Sequence, residues 1–161
     1  NDVAVLENSH SVATAGSEGS VHVWRVDMVS SKQASTLAGT NSSTTSNDNT
    51  STLAAQSSLA HEASRVSGST VLRRVHPQEG EILTVSHFNT PSASVVTFGT
   101  QGGVIHSWDL RSEKEPFALR IQPELGHLTS MAAGNDRHWM VAGTSRGFLA
   151  LWDIRFGEKM V

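Results

Sequence analysis

Three segments of this chain align on a tryptophan: A-G-S-E-G-S-V-H-V-W (Ala15 to Trp24), G-T-Q-G-G-V-I-H-S-W (Gly99 to Trp108) and G-T-S-R-G-F-L-A-L-W (Gly143 to Trp152). Each places a glycine five positions ahead of its tryptophan, at Gly19, Gly103 and Gly147. The second and third continue with an aspartate, as Trp108-Asp109-Leu110-Arg111 and Trp152-Asp153-Ile154-Arg155. A unit that recurs at a fixed period constrains the fold more tightly than any single element, because each copy must bury its apolar faces against its neighbours. Function is then sought on a binding surface before it is sought in a reaction.

The copies read as strand, glycine-rich turn, strand. V-A-T-A and V-H-V-W-R-V flank G-S-E-G, a hairpin pattern. Further strands are expected at 70–75, I-L-T-V-S-H-F, S-V-V-T-F, V-I-H-S-W-D-L, F-A-L-R-I, L-T-S-M-A, W-M-V-A and F-L-A-L-W-D-I. Strands every 8–12 residues with turns between argue for an all-β chain. In the strand that closes each later unit, His106, Trp108 and Leu110 share one face, and so do Ala150, Trp152 and Ile154. Ile105 and Ser107, then Leu149 and Leu151, share the other. Both faces are largely apolar, as in sheets stacked radially as propeller blades.

Trp108 and Trp152 are 44 residues apart, the length of one four-stranded blade. Trp24 and Trp108 are 84 apart, either two periods or one enlarged by an insertion. The second is preferred, because residues 30–69 include the run S-S-T-T-S-N-D-N-T-S-T, which lacks the large apolar residues that offset the entropy of ordering. The expected organisation is a blade portion over 1–29, a disordered Ser/Thr/Asn-rich insertion over 30–69 with one short candidate helix (L-A-A-Q-S-S-L-A-H-E-A-S), and two further repeat units over 70–161. The fold class is all-β, a partial propeller of about two to three blades. Since propellers close with roughly 4–8 blades, the chain reads as a piece of a longer protein.

Gly126-His127 lies 25 residues ahead of Trp152-Asp153. A G-H opening with a W-D close is the WD40-repeat signature. WD repeats usually carry an aspartate in the turn before the W-D strand, where it bonds the G-H histidine. Glu18, Gly102 and Arg146 stand there instead. Gly19, Trp24, Gly103, Trp108, Asp109, Gly126, His127, Gly147, Trp152 and Asp153 are expected to be repeat-structural. The run from Gly80 to Phe156, above all F-G-T-Q-G-G-V-I-H-S-W-D-L-R-S and W-M-V-A-G-T-S-R-G-F-L-A-L-W-D-I-R-F, resembles the C-terminal propeller of the phosphoinositide 3-kinase regulatory subunit 4 family, the large regulatory subunits of class III phosphatidylinositol 3-kinase complexes. The resemblance implies a non-catalytic scaffold whose partners are the lipid kinase catalytic subunit and its autophagy and endosomal co-subunits. It implies a cytoplasmic location, peripheral on endosomal or autophagic membranes. It also implies a kinase-like N-terminal domain that this segment lacks.

Other chemistry is weighed against this. The net charge of -3 gives no electrostatic basis for binding nucleic acid or anionic membranes. There is no cysteine, hence no disulfide and no thiolate zinc site. No apolar run approaches the roughly 20 residues of a membrane span, so direct membrane insertion is not expected. Gly143 to Gly147 matches the G-x-S-x-G nucleophile elbow, with Ser145 as nucleophile, but that elbow leads into a helix and a strand follows here. The eight histidines form no metal-ligand spacing. Asp109 and Asp153 recur on equivalent strands, with no cleft between them to make an acid pair. No catalytic, cofactor or metal residue is assigned. Arg111 and Arg155 complete W-D-x-R, a tetrapeptide that in some WD-repeat proteins docks the adaptor of a cullin-type ubiquitin ligase. The alternative function is therefore a substrate receptor of such a ligase. Two sequons, Asn41-Ser42-Ser43 and Asn49-Thr50-Ser51, read as chance in a Ser/Asn-rich run.

Overall fold

A computed structural model describes residues 1–28, 64–155 and 158–160. The candidate helix and most of the Ser/Thr/Asn-rich segment lie outside them. The described residues form strands and two short 3-10 turns, with no α-helix. Twelve strands lie among the described residues: β1 (Asp2–Val5), β2 (Ser11–Ala15), β3 (Ser20–Met28), β4 (Ser64–Arg74), β5 (Ile82–Asn89), β6 (Ser94–Thr100), β7 (Val104–Asp109), β8 (Ala118–Arg120), β9 (Leu128–Ala133), β10 (Trp139–Thr144), β11 (Leu149–Asp153) and β12 (Glu158–Met160). They make three four-stranded antiparallel sheets, β1-β2-β3-β4, β5-β6-β7-β8 and β9-β10-β11-β12, each a simple up-and-down meander.

The 84-residue gap between Trp24 and Trp108 therefore separates adjacent sheets, and residues 29–63 fall between β3 and β4 of the first. The strand expected over 70–75 is the last part of a longer one that begins at Ser64. Two strands had no clear signal in the sequence. β1 is only four residues, and β12, paired with β11 through Leu151↔Met160, lies past the final W-D.

The first strands of the sheets are the innermost: β1 packs against β5, and β5 against β9. The middle sheet is covered on both faces. On one, Val85, Val96, Phe98 and Trp108 bury against Ala13, Ala15 and Val21 of the first sheet. On the other, Phe88, Val95, Ile105 and Leu119 bury against Leu128, Met140, Ala142 and Trp152 of the third. The tryptophan faces of the middle and third sheets thus point toward the preceding sheet. The two outer faces are open. On the first sheet Val3 and Val5 are 62% and 73% exposed, on the face that carries Trp24. On the third Leu149 is 77% exposed.

The G-H position recurs where the sequence hid it. Pro77–Glu79 and Pro123–Leu125 are equivalent 3-10 turns between sheets, each closed by a glycine in the left-handed region, Gly80 at φ 74° and Gly126 at φ 90°. Gly80-Glu81 is the middle sheet's counterpart of Gly126-His127. With glutamate in the histidine position, only the third unit shows the dipeptide.

Candidate functional site

The meanders give the stack two ends. One carries the β2–β3, β6–β7 and β10–β11 turns and the connections between sheets. Its turns are closed by backbone bonds, and Asn1 Nδ2 donates across sheets to the Ile82 carbonyl at 2.9 Å. Gly147 N–H closes the last turn onto the Thr144 carbonyl, at 3.0 Å. Ser145 Oγ accepts from His127 N–H at 3.2 Å, and Ser145 N–H donates to the His127 carbonyl at 2.9 Å. Ser145 thus sits in a hairpin turn between two strands, and its bonds go to the backbone of His127. The exposed His127 ties its blade through its main chain rather than through its ring.

In the first sheet Glu18 stands at the position of the missing turn aspartate and bonds residues of its own hairpin. It accepts from Ser20 Oγ at 2.7 Å and lies 3.5 Å from His22 Nε2. The bond from Ser20 holds the exposed Glu18 carboxyl below its ordinary range, with His22 adding to it. His22 stacks on Trp24, whose Nε1 donates to Thr14 Oγ1 at 3.0 Å. In the middle sheet His106, the residue equivalent to His22, bridges two acids. Its Nε2 lies 2.7 Å from Glu79 and its Nδ1 2.6 Å from Glu115. Glu115 in turn meets Arg73 of β4 at 3.4 Å, so the cluster links the first and second sheets. Among the described residues no group of three or more His, Asp or Glu side chains could hold a metal ion.

Arg111 and Arg155 lie at the other end of the stack, on the rims of two different clefts. Arg111 borders a cavity of about 600 Å³ between the first and second sheets, with Leu6, Asn89 and Leu110. Arg155 borders one of about 380 Å³ between the second and third, floored by Phe88, Phe117 and Ile154. The two W-D aspartates serve their own strand ends. Asp109 is 6% exposed and accepts from Ser94 N–H at 3.0 Å, Arg111 N–H at 3.1 Å and Ser112 Oγ at 2.5 Å. Burial pushes its carboxyl up, but the bonds from Ser112, Arg111 and Ser94 outweigh this and hold it below the usual range. Asp153 grips the Arg155 guanidinium, Nε at 3.0 Å and Nη2 at 2.5 Å. That bond lowers the Asp153 carboxyl and raises the arginine. Arg111 instead reaches the Pro91 carbonyl at 3.5 Å. The two arginines share a sequence position but make different contacts.

Sequence reasoning passed over the residues that hold this end together. Glu7 in the β1–β2 loop, His87 and Asn89 of β5 and Arg137 of the β9–β10 turn converge there, four residues drawn from all three sheets. Only their placement in space connects them, since Glu7 and Arg137 are 130 residues apart.

The middle and third sheets both carry W-D-x-R at the end of their third strand, β7 and β11, and stack as equivalents. No family model matches the chain. It is 36% identical over 155 residues to a protein of Dictyostelium discoideum named probable serine/threonine-protein kinase vps15, across 96% of the chain. The chain resembles the VPS15 proteins. It is also 27% identical over 154 residues to the serine/threonine-protein kinase VPS15 of Arabidopsis thaliana, and 27% identical over 155 residues to a putative VPS15 kinase of Komagataella pastoris. It spans 7%, 9% and 10% of the length of these three relatives, so the likeness to VPS15 is to a small part of each. VPS15 is the regulatory-subunit family that the run from Gly80 to Phe156 resembles. Among the described residues no helix is long and apolar enough to cross a membrane.

Proposed function

We propose that this chain is a non-catalytic scaffold, part of the WD-repeat domain of a VPS15-type regulatory subunit of a class III phosphatidylinositol 3-kinase complex, acting in endosomal sorting and autophagy as a peripheral component of those membranes. The observation that carries the reading is similarity to VPS15 proteins across 94–96% of the chain, from the first sheet to the third. The kinase named in the relatives is assigned to their remaining length, since the described residues here form stacked sheets alone. The open outer faces support a segment of a longer stack. Val3, Val5 and Leu149 are apolar positions of the kind that the middle sheet buries on both sides. The partners are the lipid kinase catalytic subunit and its co-subunits, bound through loops.

The test is affinity purification of the polypeptide carrying this segment and its flanking sequence. The expected result is stoichiometric recovery of a class III lipid kinase, and its clean absence overturns the reading. The ubiquitin-ligase alternative rests on Arg111 and Arg155. The grip of Asp153 on Arg155 favours a local role for that residue, and adaptor binding that disappears on charge reversal at both arginines would reinstate the alternative.

A further inference from the structure

At the loop end of the innermost strands, a single residue meets the other two sheets. The Glu7 carboxylate accepts from Arg137 Nη2 of the third sheet, at 2.7 and 2.9 Å, and from Asn89 N–H of the middle sheet, at 3.0 Å. The Glu7 carbonyl accepts from Asn89 Nδ2 at 2.9 Å. Glu7 N–H donates to His87 Nδ1 at 2.9 Å. Because that contact makes Nδ1 an acceptor, the His87 proton belongs on Nε2, which faces Ser94 Oγ at 3.0 Å. His87 is 8% exposed. Arg137 adopts φ 62°, a left-handed conformation unusual for a side chain of this size, which fixes where its guanidinium leaves the turn.

We infer that Glu7, His87 and Arg137 form a proton-sensitive latch that holds the three sheets together at this end and releases the β1–β2 loop when His87 takes a second proton. A proton on Nδ1 would face the Glu7 N–H, donor against donor, so the bond that anchors the Glu7 main chain is lost. The imidazolium then competes with Arg137 for the Glu7 carboxylate, and the tie from first to third sheet weakens. The charged groups around His87 are Glu7 from the β1–β2 loop, Arg137 from the β9–β10 turn and, one hydrogen bond behind Ser94, Asp109 at the end of β7. Burial holds the His87 ring below its ordinary range, Glu7 opposing this and Arg137 adding to it. The neutral ring is therefore the form that the fold selects, and the latch opens as pH falls below the ordinary histidine value of about 6.5. The loop it frees forms one wall of the cavity bordered by Arg111, so opening the latch widens that cleft.

The test is NMR on the ¹⁵N-labelled chain, titrated from pH 7.5 to 5. The His87 nitrogen shifts should report an unprotonated Nδ1 at pH 7.5. As His87 titrates, amide-exchange protection at Glu7 and Asn89, corrected for intrinsic rates, should fall at least tenfold while β6 amides hold. His87→Gln should abolish the pH dependence. Arg137→Gln, which removes the opposing cation, should move the loss of protection to higher pH, a shift that a purely structural role would not produce. A protonated Nδ1 at pH 7.5, protection unchanged through the His87 titration, or a midpoint unmoved in Arg137→Gln would each overturn the latch. The nitrogen shifts are read on the unmodified chain, so the outcome does not depend on a variant folding.

Discussion

Leu128 occupies the space that a side chain at Gly99 would need. A Cβ built on Gly99 of β6 falls 1.8 Å from Leu128 Cδ2 and 3.3 Å from Thr84 Cγ2. Leu128 is fully buried and opens β9, so this contact seats the third sheet on the middle one. Gly99→Ala should destabilise by about 1–3 kcal/mol through overpacking. Leu128→Ala should cost about 2–5 kcal/mol through the cavity it leaves. In the Leu128→Ala background the cost of Gly99→Ala should fall by more than half, since the clashing methyl is gone. Urea unfolding of the four chains of this cycle measures it, and additive costs would show that the two residues do not compete for one space.

Gly126 combines two demands. Its φ of 90° lies in the left-handed region, and a Cβ there would sit 2.6 Å from Ser145 Oγ and 2.8 Å from Arg146 Cγ. Gly126→Ala should therefore cost more than the roughly 1 kcal/mol of a left-handed alanine alone, and it should break the paired bonds between His127 and Ser145. Thermal unfolding together with exchange at the Ser145 amide tests this. Ser145→Ala in the same background, which removes the nearest clashing atom, should recover part of the loss.

Much of this architecture was legible before any coordinates. The tryptophan alignment grouped the residues that share a strand face, and the structure turns the Trp108 and Trp152 faces toward the preceding sheet, at 3% and 2% exposure. The 44-residue period put them on adjacent sheets. β1 and β12 escaped notice because an edge strand of three or four residues has too few positions to display an alternating pattern. Gly80-Glu81 escaped because the repeat conserves a backbone conformation there, not a residue pair. At the loop end, Arg111 and Arg155 were singled out from W-D-x-R, but their different partners depend on Pro91 and on which acids the local strand end consumes. Glu7, His87 and Arg137 belong to no motif, and contacts 80 and 130 residues apart in sequence leave no trace in spacing.

Asp109 should govern part of the acid unfolding. Its carboxyl titrates below its ordinary value of 3.8 in the fold, so its contribution is fully present above that value and is lost as pH falls through the lower folded value. Asp109→Asn should cost about 1.5–3 kcal/mol at neutral pH, the range for hydrogen bonds to charged groups. The gap between native and variant stability should close between pH 5 and the acid limit. Asp153→Asn should change the acid limb much less, because its partner Arg155 is half exposed and such surface pairs contribute little. Denaturation midpoints across pH decide the point, and a gap for Asp109→Asn that stays constant with pH would count against it.

The exposed apolar faces make the last prediction, and it separates a chain that is complete as three sheets from one that needs neighbours. Leu149, 77% exposed, projects from β11 on the side away from Trp152, where the equivalent Ile105 of the middle sheet is fully buried beneath the third. Burying a leucine side chain is worth about 1.5–3 kcal/mol. If a further blade covers this face in the longer polypeptide, Leu149→Lys should improve the solubility of the isolated chain and leave its unfolding midpoint nearly unchanged. In the polypeptide with the flanking repeats the same substitution should destabilise by at least the lost burial, with a lysine trapped between sheets adding to the cost. Sedimentation and thermal unfolding of both lengths, with and without the substitution, give the comparison. A lysine tolerated equally in the two would mean that the face stays open to solvent, and that no further sheet stacks on the third.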